Sequence, residues 1–215
     1  MTLCLVTDRQ RLSGGGAPFE VARRRLIAQA LAAIQAGVDL IQVREPDLDA
    51  GELKTVVDDI VGVSRGTATR VVVNDRLDVA LACGADGVHL RSDSIPAADA
   101  RRMAPSSFLV GRSVHTAEEA IEAGAVDYLI AGTVFPTASK PAGRQPIGLE
   151  GLRAIVAAAC APVLAIGGVT ADRLADIAAS GAAGVAAIGL FTGGAPLGAL
   201  VDACRTRFDS RNSAP

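Results

Sequence analysis

Short apolar runs alternate along this chain with longer segments whose apolar positions recur at helical spacing. Eight runs stand out, at 3–7, 40–44, 70–74, 87–89, 109–113, 128–132, 163–166 and 184–188. They are rich in Val, Ile and Leu and lack the alternation of a half-exposed strand, so they predict strands covered on both faces. Helices are predicted between and after them, at 21–36, 49–64, 76–83, 96–103, 116–123, 149–160, 170–180 and 196–208. Gly37, Gly84, Gly124 and Gly181 each close a helical pattern just before an apolar run, where a left-handed cap ends a helix. Thr116 followed by Glu119 has the spacing of a capping box, and Pro96 and Pro196 sit where first helical turns begin.

An αβ unit repeated eight times, with no second domain, predicts an α/β protein built as a single (β/α)8 TIM barrel over residues 1–208, with a frayed tail at 209–215. The rival is an open doubly wound sheet, which would want a G-x-G-x-x-G fingerprint after its first strand. Ser13-Gly14-Gly15-Gly16-Ala17 does not supply one, and no Walker A pattern occurs. That glycine run is expected to be a flexible loop over the barrel mouth.

Composition narrows the class further. A chain of 215 residues, half of them apolar and 20% charged, suits one well-filled core. A net charge of -2 and a single tyrosine point away from nucleic acid. No apolar run approaches the roughly 20 residues of a membrane span, and the first residues lack a basic leader, so a strand is expected there. Cys4, Cys83, Cys160 and Cys204 are scattered without a CxxC pair, which fits a reduced cytoplasm better than a zinc site or a disulfide framework.

Chemistry in such a barrel gathers at the C-terminal ends of the strands. Those ends carry Thr7-Asp8, Arg44-Glu45, Asn74-Asp75, His89, Ser113 to His115, Gly132-Thr133, Gly167-Gly168 and Gly189, and so hold both histidines of the chain. Gly167, Gly168 and Gly189 follow the seventh and eighth strands, where backbone amides commonly hold a phosphate; the same glycines would also serve plain tight turns. His115 has the chemistry of a proton carrier, or of a residue that only fastens its loop. His89 lies nearer the barrel wall and reads as structural. Asn74 suits an amine or ring nitrogen, while Asp75 suits Mg2+ or the cap of the next helix. A metal would need a second ligand, for which Asp93 and Asp8 are candidates. In the loop 133–141, Thr137, Ser139 and Lys140 combine hydroxyls with one of the two lysines, which suits an anion under a lid or a solvated loop.

Val6-Thr7-Asp8, Ile41-Gln42-Val43-Arg44-Glu45, Val73-Asn74-Asp75-Arg76, Ala85-Asp86-Gly87-Val88-His89, Gly111-Arg112-Ser113-Val114-His115, Pro136-Thr137-Ala138-Ser139-Lys140 and Ala165-Ile166-Gly167-Gly168 stand in that order. Together they resemble the superfamily of thiamine phosphate synthase and its relative, the TenI-type thiazole tautomerase. The resemblance spans almost the whole chain. It implies for the synthase a lysine two residues after Arg44, where this chain has Pro46, and two magnesium aspartates, of which one matches Asp75 and the other falls on Ser94. The stretch from Gly111 to His115 resembles the tautomerase motif, whose histidine is the proton carrier.

These departures make a thiazole tautomerase the expected function: an isomerase of a carboxylated thiazole phosphate, with His115 moving the proton and no cofactor. Gly167, Gly168 and Gly189 would hold its phosphate, and Arg44 or Lys140 its carboxylate. The alternative is thiamine phosphate synthase, which joins a pyrimidine diphosphate to a thiazole phosphate with Mg2+ on Asp75 and with Ser113, Thr137, Ser139 and Lys140 around the pyrophosphate. A non-catalytic barrel that binds a phosphorylated ligand is a third reading, whereas a Schiff-base aldolase lacks a lysine at any strand end. Partners are expected to be small phosphorylated molecules. Barrels of this kind often pair through their helices, so a homodimer is compatible with the sequence.

Overall fold

The eight apolar runs become eight parallel strands that pair in chain order and close on themselves. The structure is a computed structural model and describes residues 1–137, 145–193 and 196–209. The strands are β1 (Thr2–Val6), β2 (Leu40–Val43), β3 (Arg70–Asn74), β4 (Gly87–Leu90), β5 (Leu109–Val114), β6 (Tyr128–Gly132), β7 (Val163–Ile166) and β8 (Gly184–Ala187). Helices α1 (Arg9–Ser13), α2 (Phe19–Gln35), α3 (Ala50–Ser64), α4 (Leu77–Ala82), α5 (Ala97–Met103), α6 (Ala117–Glu122), α7 (Gly148–Ala158), α8 (Leu174–Ala179) and α9 (Leu197–Asp209) surround them. This is the (β/α)8 barrel that the pattern predicts.

Two apolar layers hold it together. Outward-facing strand residues such as Leu3, Ile41, Val73 and Leu129 pack with the buried helix faces, among them Leu26, Ile60 and Ile155. Inside, Cys4, Leu40, Val72, Tyr128, Leu164 and Ala186 form a separate cluster. The middle of the strands is therefore apolar on both faces, as in Val71 to Val73 of β3, which is why alternation is missing from the sequence.

One device recurs at the N-terminal rim. Asp39, Asp86 and Asp127 immediately precede β2, β4 and β6. Their carboxylates accept from the backbone N–H of Leu3, Val71 and Val110, on β1, β3 and β5, at 2.7, 2.8 and 2.7 Å. Arg205, Arg70 and Arg101 pair with the same carboxylates. The N–H groups at strand starts lack a neighbour in the ladder, and an aspartate supplies the missing acceptor.

The sequence pattern departs from the fold in a few places. Arg9–Ser13 forms α1, too short for any periodicity to show. The glycine run therefore ends a helix: Gly14 is its left-handed cap at φ 79°, and its N–H donates to Arg11 O. The predicted helix at 170–180 splits into a 3-10 turn, Ala171–Arg173, and α8. At α6, Thr116 Oγ1 accepts from Glu119 N as expected, but the Glu119 carboxylate accepts from His115 N instead of closing the box on Thr116. Beyond Asp209, the predicted tail lies outside the described residues. The four cysteines are free thiols, with Cys160 exposed. Among the described residues no helix is long and apolar enough to cross a membrane.

Replacing Asp86 by Ala removes the acceptor for Val71 N and the partner of Arg70. Denaturant unfolding should show a loss of about 1–2 kcal/mol with an unchanged m-value; an unaltered midpoint would mean that water replaces the carboxylate at no cost.

Candidate active site

Along the barrel interior the side chains change character between one layer and the next. Two residues beyond the apolar layer, Val6, Gln42, Asn74, His89, Ser113, Ile130, Ile166 and Ile188 line a cavity of about 910 Å3 at the C-terminal mouth. Strand periodicity makes these the next inward positions. The polar four come from the consecutive strands β2 to β5, and the apolar four lie on or just after β6, β7, β8 and β1. The floor of the cavity is thus half polar and half apolar.

The polar half is tightly wired. Gln42 Nε2 donates to Asn74 Oδ1 at 2.9 Å, and Gln42 Oε1 is buried with no hydrogen-bond partner among the described residues. His89 is 1% exposed, with Nδ1 at 3.2 Å from the Tyr128 hydroxyl and Nε2 at 2.9 Å from Ser113 Oγ. Burial lowers its pKa to about 3, because a charged imidazole would lose its water there. His89 is therefore in the site as well as in the core, more than the structural role expected of it.

At the rim, His115 donates from Nδ1 to the Gly132 carbonyl, since a carbonyl oxygen can only accept. Arg44, Thr137, Gly167, Gly168 and Gly189 also line the cavity. Gly167 and Gly168 adopt φ of 96° and 63°, and a Cβ on either would run into Thr133 or Phe135, so both glycines also serve the packing of the loop after β6. Ser139 and Lys140 lie outside the described residues. Asp75, at φ 59°, accepts from Ser94 Oγ at 2.5 Å and lies 3.7 Å from Arg91, which also pairs with Asp93 at 2.6 Å. The Asp8 carboxylate caps α1 by accepting from Arg11 N.

Sequence reasoning missed Gln42, Arg11, Arg91 and Arg173 as lining residues. Gln42 had a signal, being the one polar residue in a buried four-residue strand. Arg91 also had one, since it directly follows β4 as Arg44 follows β2, whereas Arg11 and Arg173 reach the cavity from short helical turns and had none. Arg11 lies over Gly189, so that a Cβ there would stand 3.1 Å from its guanidinium. These cations change the balance that Pro46 seemed to upset. Beside Pro46, Arg9 clamps the loops after β1 and β2: it donates to buried Glu45 at 3.1 Å and to Asp47 at 2.6 Å. Burial pushes the Glu45 carboxyl up against these bonds, while the Arg9 guanidinium holds Asp47 well below the usual range.

The neutral, buried state of His89 has a consequence for stability. Its folded pKa of about 3 lies below the unfolded value near 6.5, so between those values the unfolded chain binds the extra proton. Stability should fall as pH drops from 6.5 to 5, with His89 contributing at most about 1.4 kcal/mol per pH unit. Denaturant midpoints of a His89→Gln variant should be flatter over this window; an equal slope would place the proton uptake elsewhere.

Comparison with known proteins identifies the family. The family model described as thiamine monophosphate synthase (TMP-TENI) matches residues 3–191. The thiamine-phosphate synthase of Methanoregula boonei is 42% identical, over 90% of this chain and 86% of its own length. That of Moorella thermoacetica is 39% identical, over 88% and 87%. The solved thiamine phosphate pyrophosphorylase of Pyrococcus furiosus superposes with a TM-score of 0.81 at 33% identity, covering 97% of this chain and 96% of that one. These relatives overturn the expected tautomerase and its isomerase class in favour of the synthase. The stretch from Gly111 to His115 that suggested it has other work in the fold: Gly111 clears room for the Tyr128 ring, Arg112 ties the Ser92 and Ile95 carbonyls, and Ser113 meets His89. The chain belongs to the thiamine monophosphate synthase family.

Proposed function

We propose that this protein is a thiamine phosphate synthase, a transferase that joins a hydroxymethylpyrimidine diphosphate to a thiazole phosphate and releases pyrophosphate. The observation that carries the reading is that relatives of that name, 39–42% identical, align with more than four fifths of this chain and of themselves. The cavity supports it in size, within the roughly 300–1,000 Å3 of small-molecule sites, and in the character of its floor.

A substituted pyrimidine has polar edges and apolar faces, and the half-polar floor suits both. Gln42 Oε1, the acceptor left without a partner, takes the amine proton. Asn74 accepts from Gln42 through Oδ1, which leaves its amide N–H groups for a ring nitrogen. The diphosphate lies toward Ser113, Thr137 and the guanidinium groups of Arg44 and Arg91, with Ser139 and Lys140 as further candidates. The phosphate of the thiazole partner sits at Gly167, Gly168 and Gly189, with Arg11 close by.

The coupling breaks the bond between the pyrimidine methylene carbon and the diphosphate oxygen, and the electron pair leaves with that oxygen. The thiazole nitrogen then forms the new C–N bond with its lone pair. No proton moves, so the proton-carrying role expected of His115 falls away, and the residue becomes a wall of the cavity fixed through the Gly132 carbonyl. The chain's contribution is to hold the two rings face to face and to keep water from the electrophilic carbon.

Mg2+ fits the residues present. Asp75 carboxylate and Ser94 Oγ are a hard oxygen pair, and Mg2+ is commonly bound through one or two carboxylates with water and phosphate oxygens completing its shell. No group of three or more His, Cys, Asp or Glu among the described residues could hold a metal alone, which fits an ion shared with the substrate. When bound there it neutralises charge on the leaving diphosphate.

Purified protein given pyrimidine diphosphate, thiazole phosphate and Mg2+ should form thiamine phosphate and pyrophosphate in equal amounts; neither product would refute the reading. Gln42→Ala should lower kcat/KM roughly tenfold or more by removing a buried contact to the pyrimidine. Asp75→Asn should raise the Mg2+ concentration needed for half-maximal rate, and an unchanged Mg2+ dependence would place the ion elsewhere.

A further inference from the structure

A chain of three polar groups, two of them buried, runs across three adjacent strands and ends in the cavity. Tyr128 opens β6, His89 lies on β4, and Ser113 lies on β5 between them. Gly111 makes this crossing possible, because a Cβ at that position would run into the Tyr128 ring. With no side chain in the way, the ring passes beside β5 and stacks on His89, with centroids 5.6 Å apart and planes 29° apart.

Counting protons sets the direction of the chain. The phenol and the neutral imidazole carry one N–H or O–H proton each. Among the described residues the phenol meets one hydrogen-bond partner, His89 Nδ1. If that nitrogen carried the ring proton, the phenol proton would be buried without an acceptor, which is costly. The phenol therefore donates to Nδ1, and the imidazole proton sits on Nε2. Nε2–H then donates to Ser113 Oγ, and the serine proton is left to face the cavity. Since burial keeps the ring neutral, the arrangement persists at working pH.

We propose that Tyr128 and His89 are positioning residues that fix Ser113 as a one-way hydrogen-bond donor to an anionic oxygen of the substrate. A hydroxyl that accepts from an imidazole N–H is also a stronger donor, and this one faces the cavity where the diphosphate is proposed to leave. The proposal rests on the synthase reading for the identity of that anion, but the tautomer of His89 does not.

Two measurements test it. The chain has two histidines, so a His115→Gln variant labelled with 15N-histidine shows one ring. That ring should be protonated at Nε2, with Nδ1 as acceptor, and should not titrate between pH 5 and 8; protonation at Nδ1 overturns the proposal whatever the chain catalyses. The second is a double-mutant cycle. Tyr128→Phe should lower kcat on the order of tenfold while the KM for thiazole phosphate holds, and adding it to Ser113→Ala should cost nothing further. Additive losses, or full activity in Tyr128→Phe, would overturn the relay. Lack of pyrophosphate release by the unaltered protein would instead refute the synthase reading, and the same cycle is then read on the affinity for inorganic pyrophosphate, with the same deciding outcomes.

Discussion

The change from apolar to polar side chains between two successive inward layers is the constraint on which the rest of the molecule depends. Below it, Cys4, Leu40, Val72, Tyr128, Leu164 and Ala186 fill the barrel and close it. Above it, Gln42, Asn74, His89 and Ser113 face the mouth. Register carries the change around the barrel, since pairings such as Asn74 with His89 and Val6 with Gln42 hold neighbouring strands level. A slip by one residue would turn the polar set into the helix-facing layer and expose the apolar set to the cavity.

Keeping that register is the work of the N-terminal rim and of the loops at the mouth. Asp39, Asp86 and Asp127 tie the odd strands to the even ones, and each carboxylate is itself held by an arginine. At the other end the Arg9 clamp on Glu45 and Asp47 fixes the loops after β1 and β2. The two ends divide the labour seen generally in such barrels, with stability at the bottom and chemistry at the top.

Much of this was legible in the sequence. The eight strands were visible because both their faces are apolar, and the strand ends pointed to Arg44, Asn74, Ser113, His115 and the paired glycines as cavity residues. What stayed hidden depends on contacts between distant loops. No local pattern shows that Arg11 reaches Gly189, or that Arg91 stands beside Asp75. The expected tautomerase failed for a related reason. Pro46 and Ser94 were read as charges lost at single positions, whereas the cavity gathers guanidinium groups from other loops, and Ser94 still offers Asp75 an oxygen partner. The segment from Gly111 to His115 looked catalytic, yet Gly111 and Arg112 serve the packing of β5.

The measurement that tests the central claim most directly is a crystal structure of the protein soaked with thiamine phosphate, pyrophosphate and Mg2+. The pyrimidine amine should lie within hydrogen-bond distance of Gln42 Oε1, with the thiamine phosphate group on the amides around Gly167, Gly168 and Gly189. A ligand bound outside the barrel mouth, or a pyrimidine turned away from Gln42 and Asn74, would contradict the assignment of this cavity.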